Sequence, residues 1–394
     1  MVTTTDVLVI GGGLMGCATA YEMSRRGLRV MLVERREEPG RETTARSGAI
    51  IRAHYGVPEL VALSLEANRR YASGGEDGLD FGFQRCGYAV LVDEDDRDVL
   101  LANMAMHRGL GVNVELLQAC ELQDMVPSLK MHDVAAVAYE PEGGYANPLQ
   151  TVQAFAAAAR RNGATLCFGA AVVNAQKAGG DWRIELQNGD TVSSAQVVLC
   201  TGNWSYGVGA LFGLQLPVAP VRAQITVMQR PPQFGGSFPV ISDLVNLAYF
   251  RVEGESGMWV GSSDMSDLQE ALPAPEGFNE VADSQAIEAA RHKTALRFEG
   301  FDTSDKGDVQ RAFCGLYETT PDWQPIIDSF DNVHVAVGFS GHGFKLAPVV
   351  GEEMAHRVTS TQSPFDTSIF DLARFEEGRP IKSRHVYRRA RFLR

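Results

Sequence analysis

Three glycines and one acid near the start of the chain have the spacing of a phosphate-binding turn. Gly11, Gly13 and Gly16 fall in GGGLMG, directly after the apolar run Val7 to Ile10. Gly11 makes the tight turn out of a strand, Gly13 lets the backbone approach a pyrophosphate, and Gly16 brings a helix close to the sheet. Leu14 and Met15 lie at the start of that helix. Its free N–H groups and dipole favour negative charge there. Glu34 closes a second apolar run, Leu28 to Val33. A carboxylate at that place can accept both hydroxyls of an adenosine ribose and would repel a 2′-phosphate. Strand, turn, helix, second strand and acid together read as a dinucleotide site. The alternative is a glycine-rich turn in some other α/β unit.

Further polar groups cluster in short stretches. The loop from Gly40 to Gly48 carries Thr43, Thr44, Arg46 and Ser47, which can offer hydroxyls and N–H groups to phosphates. Arg52, His54 and Tyr55 follow in IIRAHYG. The apolar run Val197 to Cys200 stops at Gly202, with Trp204 just beyond, and GFSGHGFK runs from Gly338 to Lys345. Two cations of different shape can fix a carboxylate: a guanidinium fork sets its plane, and an ammonium adds point charge.

The elements that would position these groups alternate between helical and strand patterns. Helices are expected from about Pro58 to Tyr71, from Asn147-Pro148 to Arg161, from about Ser284 to Phe298 and from Ala347 to Arg357. Strands are expected at Gly87 to Val92, Val112 to Leu117, Val134 to Tyr139, Leu247 to Val252 and Met258 to Gly261. The chain leaves its first domain and returns twice. The fold expected is α/β with two domains, a Rossmann-type nucleotide domain carrying an inserted mixed-sheet substrate domain. The first would comprise 1–80, 146–215 and 325–375, and the second 81–145 and 216–324, with a basic tail at 376–394.

Composition narrows the function. The chain has 394 residues, a formal charge of −13 and a pI near 5.1, which speaks against nucleic acid or an anionic membrane as a general partner. Lys382 to Arg394 departs from this, with six Lys/Arg and no acid, and reads as a solvated tail or a contact with an acidic partner surface. Six scattered cysteines without a CxxC read as reduced thiols in the cytoplasm, and no metal site is expected. No apolar run reaches the length of a membrane span.

The motifs GGGLMG with Glu34, RSGAIIR, VVLCTGNWS, YETTPDWQPIID and GFSGHGFKLAP occur in one known order. From about Asp6 to Phe375 the chain resembles the FAD-dependent amine oxidoreductases of the D-amino-acid oxidase superfamily. Within it, the likeness is to sarcosine oxidase, dimethylglycine dehydrogenase and FAD-containing proline dehydrogenase subunits. The resemblance implies FAD as cofactor. It places Gly338, Gly341, His342, Gly343, Phe344 and Lys345 along the flavin, and Glu34, Arg35, Thr43, Thr44, Arg46, Ser47 and Gly48 at the adenosine and pyrophosphate. Val173 matches a position whose backbone meets adenine, and Gly202 and Trp204 would close the far wall. Arg52 and Lys345 match two cations that hold a substrate carboxylate. His342 is a candidate for a proton role, and Tyr55, Tyr249 and Trp259 for the substrate cavity. The substrate implied is a secondary or tertiary amino acid, oxidised by hydride transfer to flavin N5.

Three positions depart from monomeric sarcosine oxidase. Gly315 stands where that enzyme links its flavin to a cysteine, so a non-covalent cofactor is expected. Trp259 and Ala49 stand where it has two cations. A cation beside reduced flavin stabilises superoxide, so a dehydrogenase with a separate electron acceptor or partner subunit is favoured over an oxidase. Two other readings stay open: a flavoprotein acting on an unrelated amine or hydroxy acid, and a non-catalytic FAD-binding subunit.

Overall fold

A computed structural model describes residues 2–389, apart from 76, 232–233, 235, 269–270 and 302–307. Five parallel strands lie side by side in the order Thr165–Phe168, Val30–Glu34, Val2–Ile10, Thr191–Leu199 and Val333–Val337. Counted along the chain this order is 3-2-1-4-5, so the topology reverses where Val2–Ile10 meets Thr191–Leu199. A ligand crevice opens at the carboxyl ends of strands at such a point. The strands read as unbroken apolar runs because helices cover them. Val30–Glu34 is buried at every residue. The helix Leu14–Ser24 is buried nearly all round, between Pro148–Arg161 and Gly343–Thr359.

The second sheet is mixed. Its order is Val309–Thr319, Ala219–Gln229, Gly257–Ser262, Ala248–Glu253, Val240–Asp243, Tyr88–Val92, Ala136–Glu140 and Glu115–Leu117. Its two sequence-distant halves join through one parallel pair, Val240–Asp243 beside Tyr88–Val92. A small sheet of Ile50–Ile51, Gly144–Tyr145 and Gln84–Arg85 brings the stretch before Arg52 against the stretch after Ala136–Glu140. Among the described residues no helix is long and apolar enough to cross a membrane.

Two sequence expectations are corrected. The last helix begins at Gly343, not Ala347, so Gly343, Phe344 and Lys345 form its first turn instead of a loop. Pro348 reads as a helix start because it lacks an N–H. Here it lies inside the helix. The Phe344 carbonyl, four residues back, accepts the Tyr71 hydroxyl instead, at 2.7 Å. The basic tail is not free over its described part: it packs against the chain through backbone groups and Tyr387, while the side chains of Lys382, Arg384, Arg388 and Arg389 stay exposed. The Arg384 N–H donates to the Gly56 carbonyl at 2.8 Å, and the Arg388 N–H donates to Asp96 Oδ1 at 2.9 Å. Arg388 pairs with Asp95 at 2.6 Å, and Tyr387 is buried. The acidic surface it meets is the chain's own turn. Residues 390–394 of the expected tail lie outside the described residues.

Candidate active site

One cavity of about 610 Å³ runs from the carboxyl ends of the parallel strands to the second sheet. At one end stand Gly11, Gly13, Leu14, Met15, Glu34 and Arg35, with Thr43 and Thr44; Arg46, Ser47 and Gly48 continue along the wall, where a Cβ on Gly48 would lie 3.6 Å from Trp259 Nε1. Gly11 has φ +111°, and a Cβ there would lie 2.3 Å from the Cys200 carbonyl oxygen. A Cβ on Gly16 would lie 1.8 Å from the Gly11 oxygen. Gly16 is therefore behind the wall, and its task is the close turn itself. Glu34 accepts the N–H groups of Gly12 at 2.6 Å and Arg36 at 2.8 Å. Thr44 Oγ1 accepts the Leu14 N–H at 3.1 Å, which ties the polar loop to the helix start.

Gly202 and Trp204 line the same end. The Arg35 guanidinium stacks on Trp204, 4.3 Å from the ring centroid, and Trp204 Nε1 donates to Glu276. Val173 is half exposed and does not face the cavity. Ala170, Ala171 and Val172 line it instead. A register shift between Val172 and Asn174 interrupts the strand pairing here. Such a bulge is not legible from residue types.

At the other end Arg52, Tyr249, Trp259, Gly341, Gly343, Phe344 and Lys345 line the wall. Arg52 and Lys345 are both buried, and both face the ring of Tyr55, at 4.2 and 5.5 Å from its centroid. Arg52 also donates to the His54 carbonyl, and Lys345 Nζ lies 3.5 Å from the His342 carbonyl. Among the described residues neither cation has a carboxylate within ion-pair distance. Burial, and then the Arg52 charge, pull the Lys345 pKa well below the usual lysine range.

Tyr55 and His342, expected at the substrate or flavin, sit behind this wall. The His342 ring Nδ1 lies 3.2 Å from the Tyr55 hydroxyl, and both side chains are buried. Burial and the charges of Lys345 and Arg52 hold His342 well below the usual histidine range, so it is neutral. Its place under the cations is that of a support. Gly338 ends the strand Val333–Val337, also outside the lining.

Sequence reasoning did not single out Glu318, Tyr88, Ser242 or Ser263, which also line the cavity. Nor did it pick Glu140, a buried carboxyl raised to about 7 by burial, which accepts the Ala53 N–H at 2.8 Å. Donor atoms of His54, His107 and Glu140 lie within 4.8 Å of one another. A metal ion could fit that spacing, but Arg52 acts on all three groups, and its charge opposes a dication.

The sequence leads one to expect FAD without a covalent link. Gly315 lines the cavity, and Cys314, next along the strand, does not. Cys314 lies beside Arg222, its thiol pKa raised by burial. Cys200 does line the cavity, but burial pushes its thiol up to about 12, so little thiolate forms.

A family model described as FAD dependent oxidoreductase matches residues 6–357. The chain belongs to that family. It is 28% identical to the FAD-dependent oxidoreductase domain-containing protein 1 of Bos taurus, over 93% of this chain and 85% of that protein. Monomeric sarcosine oxidase of a Bacillus species is 25% identical, over 95% of this chain and 98% of the oxidase. The structure of L-proline dehydrogenase from P. horikoshii superposes with a TM-score of 0.87, at 24% identity, over 96% of this chain and 99% of that one. As a member of this family the chain binds FAD and acts as an oxidoreductase on amino acids or amines. The residues present fit the cofactor: the turn at Gly11 has no room for a Cβ, Glu34 lies at the far end, and the cavity is continuous.

Proposed function

We propose that this protein oxidises a secondary or tertiary amino acid of the sarcosine, dimethylglycine or proline kind. The observation that carries the reading is the pair of buried cations, Arg52 and Lys345, at one end of the FAD cavity without a protein carboxylate. Buried charges without partners are costly, and an anionic ligand offsets that cost. The substrate carboxylate is such an anion. Arg52 holds its plane, while Tyr55 and the His54 carbonyl hold Arg52.

FAD, when bound, supplies the hydride acceptor. The chain's own part is to fix the substrate so that the C–H bond beside nitrogen faces that acceptor. No side chain need act as a strong base, because the neutral amine is the reactive form. The neutral His342 agrees with this. The imine product is hydrolysed by water.

Residues 81–145 and 216–324 are read as the substrate domain and 1–80, 146–215 and 325–375 as the FAD domain. FAD is held without a covalent bond, as Gly315 and the off-cavity Cys314 support. Electrons pass to an acceptor other than oxygen, a partner subunit or a carrier, because Trp259 and Ala49 leave no cation at their places on the wall. Six free thiols support a reducing, cytoplasmic setting.

The test is anaerobic mixing of the FAD-loaded protein with sarcosine, dimethylglycine, L-proline and a set of hydroxy acids. Bleaching of the flavin by an N-substituted amino acid supports the reading. Bleaching only by hydroxy acids would replace it, and a purified protein that takes up no FAD would point to a non-catalytic subunit.

A further inference from the structure

Residues 271–283 lead into the helix Ser284–Arg297. They form no helix or strand, carry Pro273, Pro275 and Gly277, and are mostly exposed. Both ends of this segment are tied to the mixed sheet. The Leu272 N–H donates to the Pro220 carbonyl, and the Cys314 N–H donates to the Glu280 carbonyl, each at 2.8 Å. The Asp283 carboxylate accepts Arg222 at 3.1 and 3.3 Å and Gln224 at 3.1 Å. Ala223 and Gly315, each next in sequence to one of these anchors, line the FAD cavity.

The middle of the segment reaches the opposite wall. Glu276 pairs with Arg35 at 3.1 Å and accepts the Trp204 Nε1 hydrogen. Glu280 pairs with Arg46 at 2.8 Å, and the Arg46 guanidinium lies 5.7 Å from the centroid of Phe278. Arg35, Trp204 and Arg46 all line the cavity and are all partly exposed, so they form its rim. Residues 271–283 do not line it, so they cross from wall to wall outside the rim.

The two attachments differ in strength. The Glu276 and Glu280 side chains are more than half exposed. Exposed ion pairs contribute little each and are screened by salt. Arg222, at the anchored end, is buried. A segment held firmly at its ends and lightly in its middle opens in the middle first.

We propose that residues 271–283 are a strap that lifts to let FAD in and out, latched by Glu276 on Arg35 and Trp204 and by Glu280 on Arg46. The latch touches protein and not the cavity, so it acts alike with and without cofactor. It therefore sets the rates of exchange and leaves the affinity nearly unchanged.

The test is the release and uptake of FAD by the variant carrying both Glu276→Ala and Glu280→Ala. Recovery of flavin fluorescence on dilution of the FAD-loaded protein reads release, and quenching on mixing the apoprotein with FAD reads uptake. Both rates are expected to rise by about 2- to 30-fold, with their ratio changing far less. Glu115→Ala with Glu299→Ala, an equal charge change at exposed acids outside the strap, is expected to leave both rates as they are. Should the alanine variant not fold, Glu276→Gln with Glu280→Gln removes the two charges without shortening the side chains and is expected to show the same rise. Unchanged rates in the folded variant would overturn the proposal. So would faster release without faster uptake, which would make the segment a support of the bound cofactor. Slower release would overturn it as well, because the two glutamates would then compete with the cofactor for the arginines. The proposal rests on non-covalent FAD. Flavin that stays on acid-precipitated protein would overturn both readings, whereas free flavin with unchanged rates overturns the strap alone.

Discussion

Arg52 and Lys345, from opposite ends of the sequence, face one tyrosine ring: the guanidinium carbon is 4.2 Å and the ammonium nitrogen 5.5 Å from the centroid of Tyr55. Strand Ile50–Ile51 delivers the first, and the opening turn of helix Gly343–Thr359 delivers the second. Like charges are not brought together in a dry site without an anion to share.

Removing the fork should therefore show mainly in substrate binding. Arg52→Ala is expected to cost roughly 2–5 kcal/mol, or at least about 30-fold in KM, with FAD retained. Arg52→Lys keeps charge but not the planar fork, so KM should fall between the two. Steady-state kinetics with the best substrate of the panel, beside the bound-flavin spectrum, checks this. Loss of FAD in Arg52→Ala would reassign the residue to the cofactor.

Lys345 sets a pH dependence. Its pKa in the free protein lies well below the usual lysine range, first from burial and then from the Arg52 charge. A bound carboxylate stabilises the ammonium and raises that pKa. Proton affinity is then higher in the complex, so binding takes up a proton, and affinity falls as pH rises above the free-protein pKa. Propionate, a carboxylate without an amine, can be titrated through its effect on the flavin spectrum at several pH values. The pH dependence should vanish in Lys345→Met.

Trp259 and Ala49 line the cavity, at the positions where the resemblance to monomeric sarcosine oxidase implies two cations. The substrate-reduced protein is expected to react slowly with oxygen, and Trp259→Lys to react faster by about tenfold or more. Stopped-flow mixing with oxygenated buffer reads both rates. Fast reoxidation of the unaltered protein would contradict the assignment of a separate electron acceptor.

The tail reaches the clamp through one side chain. The Tyr387 hydroxyl lies 2.7 Å from His54 Nε2, and the His54 carbonyl accepts the Arg52 guanidinium. Tyr387→Phe removes that hydrogen bond, worth about 1 kcal/mol, and should raise KM about fivefold while kcat and FAD content hold. An unchanged KM would make the tail a fold element only.

The parallel sheet and its glycine turn were legible because the signals are local: a strand, Gly11, a helix and Glu34 lie within one short stretch. Arg52 and Lys345 were legible through family likeness alone, since nothing local in IIRAHYG or GHGFKLAP says that they meet. Glu318, Tyr88 and Ser242 were not legible, because each reaches the cavity from a different strand of the mixed sheet. The strand Val309–Thr319 was hidden as well. Exposed and buried residues do not alternate cleanly along it, and Gly315 interrupts its side-chain pattern. Pro348 misplaced the helix start, because its missing N–H is compensated by Tyr71, far away in sequence. The tail looked like free charge because its partners, Asp95 and Asp96, lie on another element.

The central claim is that the carboxylate, and not the amine alone, brings the substrate to the flavin. The most direct measurement is anaerobic reduction of the FAD-loaded protein by each amino acid of the panel beside the same amine without its carboxyl group, such as L-proline beside pyrrolidine. The account predicts flavin bleaching by at least one amino acid and far slower bleaching by its decarboxylated partner, with the gap narrowed in Arg52→Ala. Equal bleaching by both members of a pair, or none by any amino acid, would contradict it.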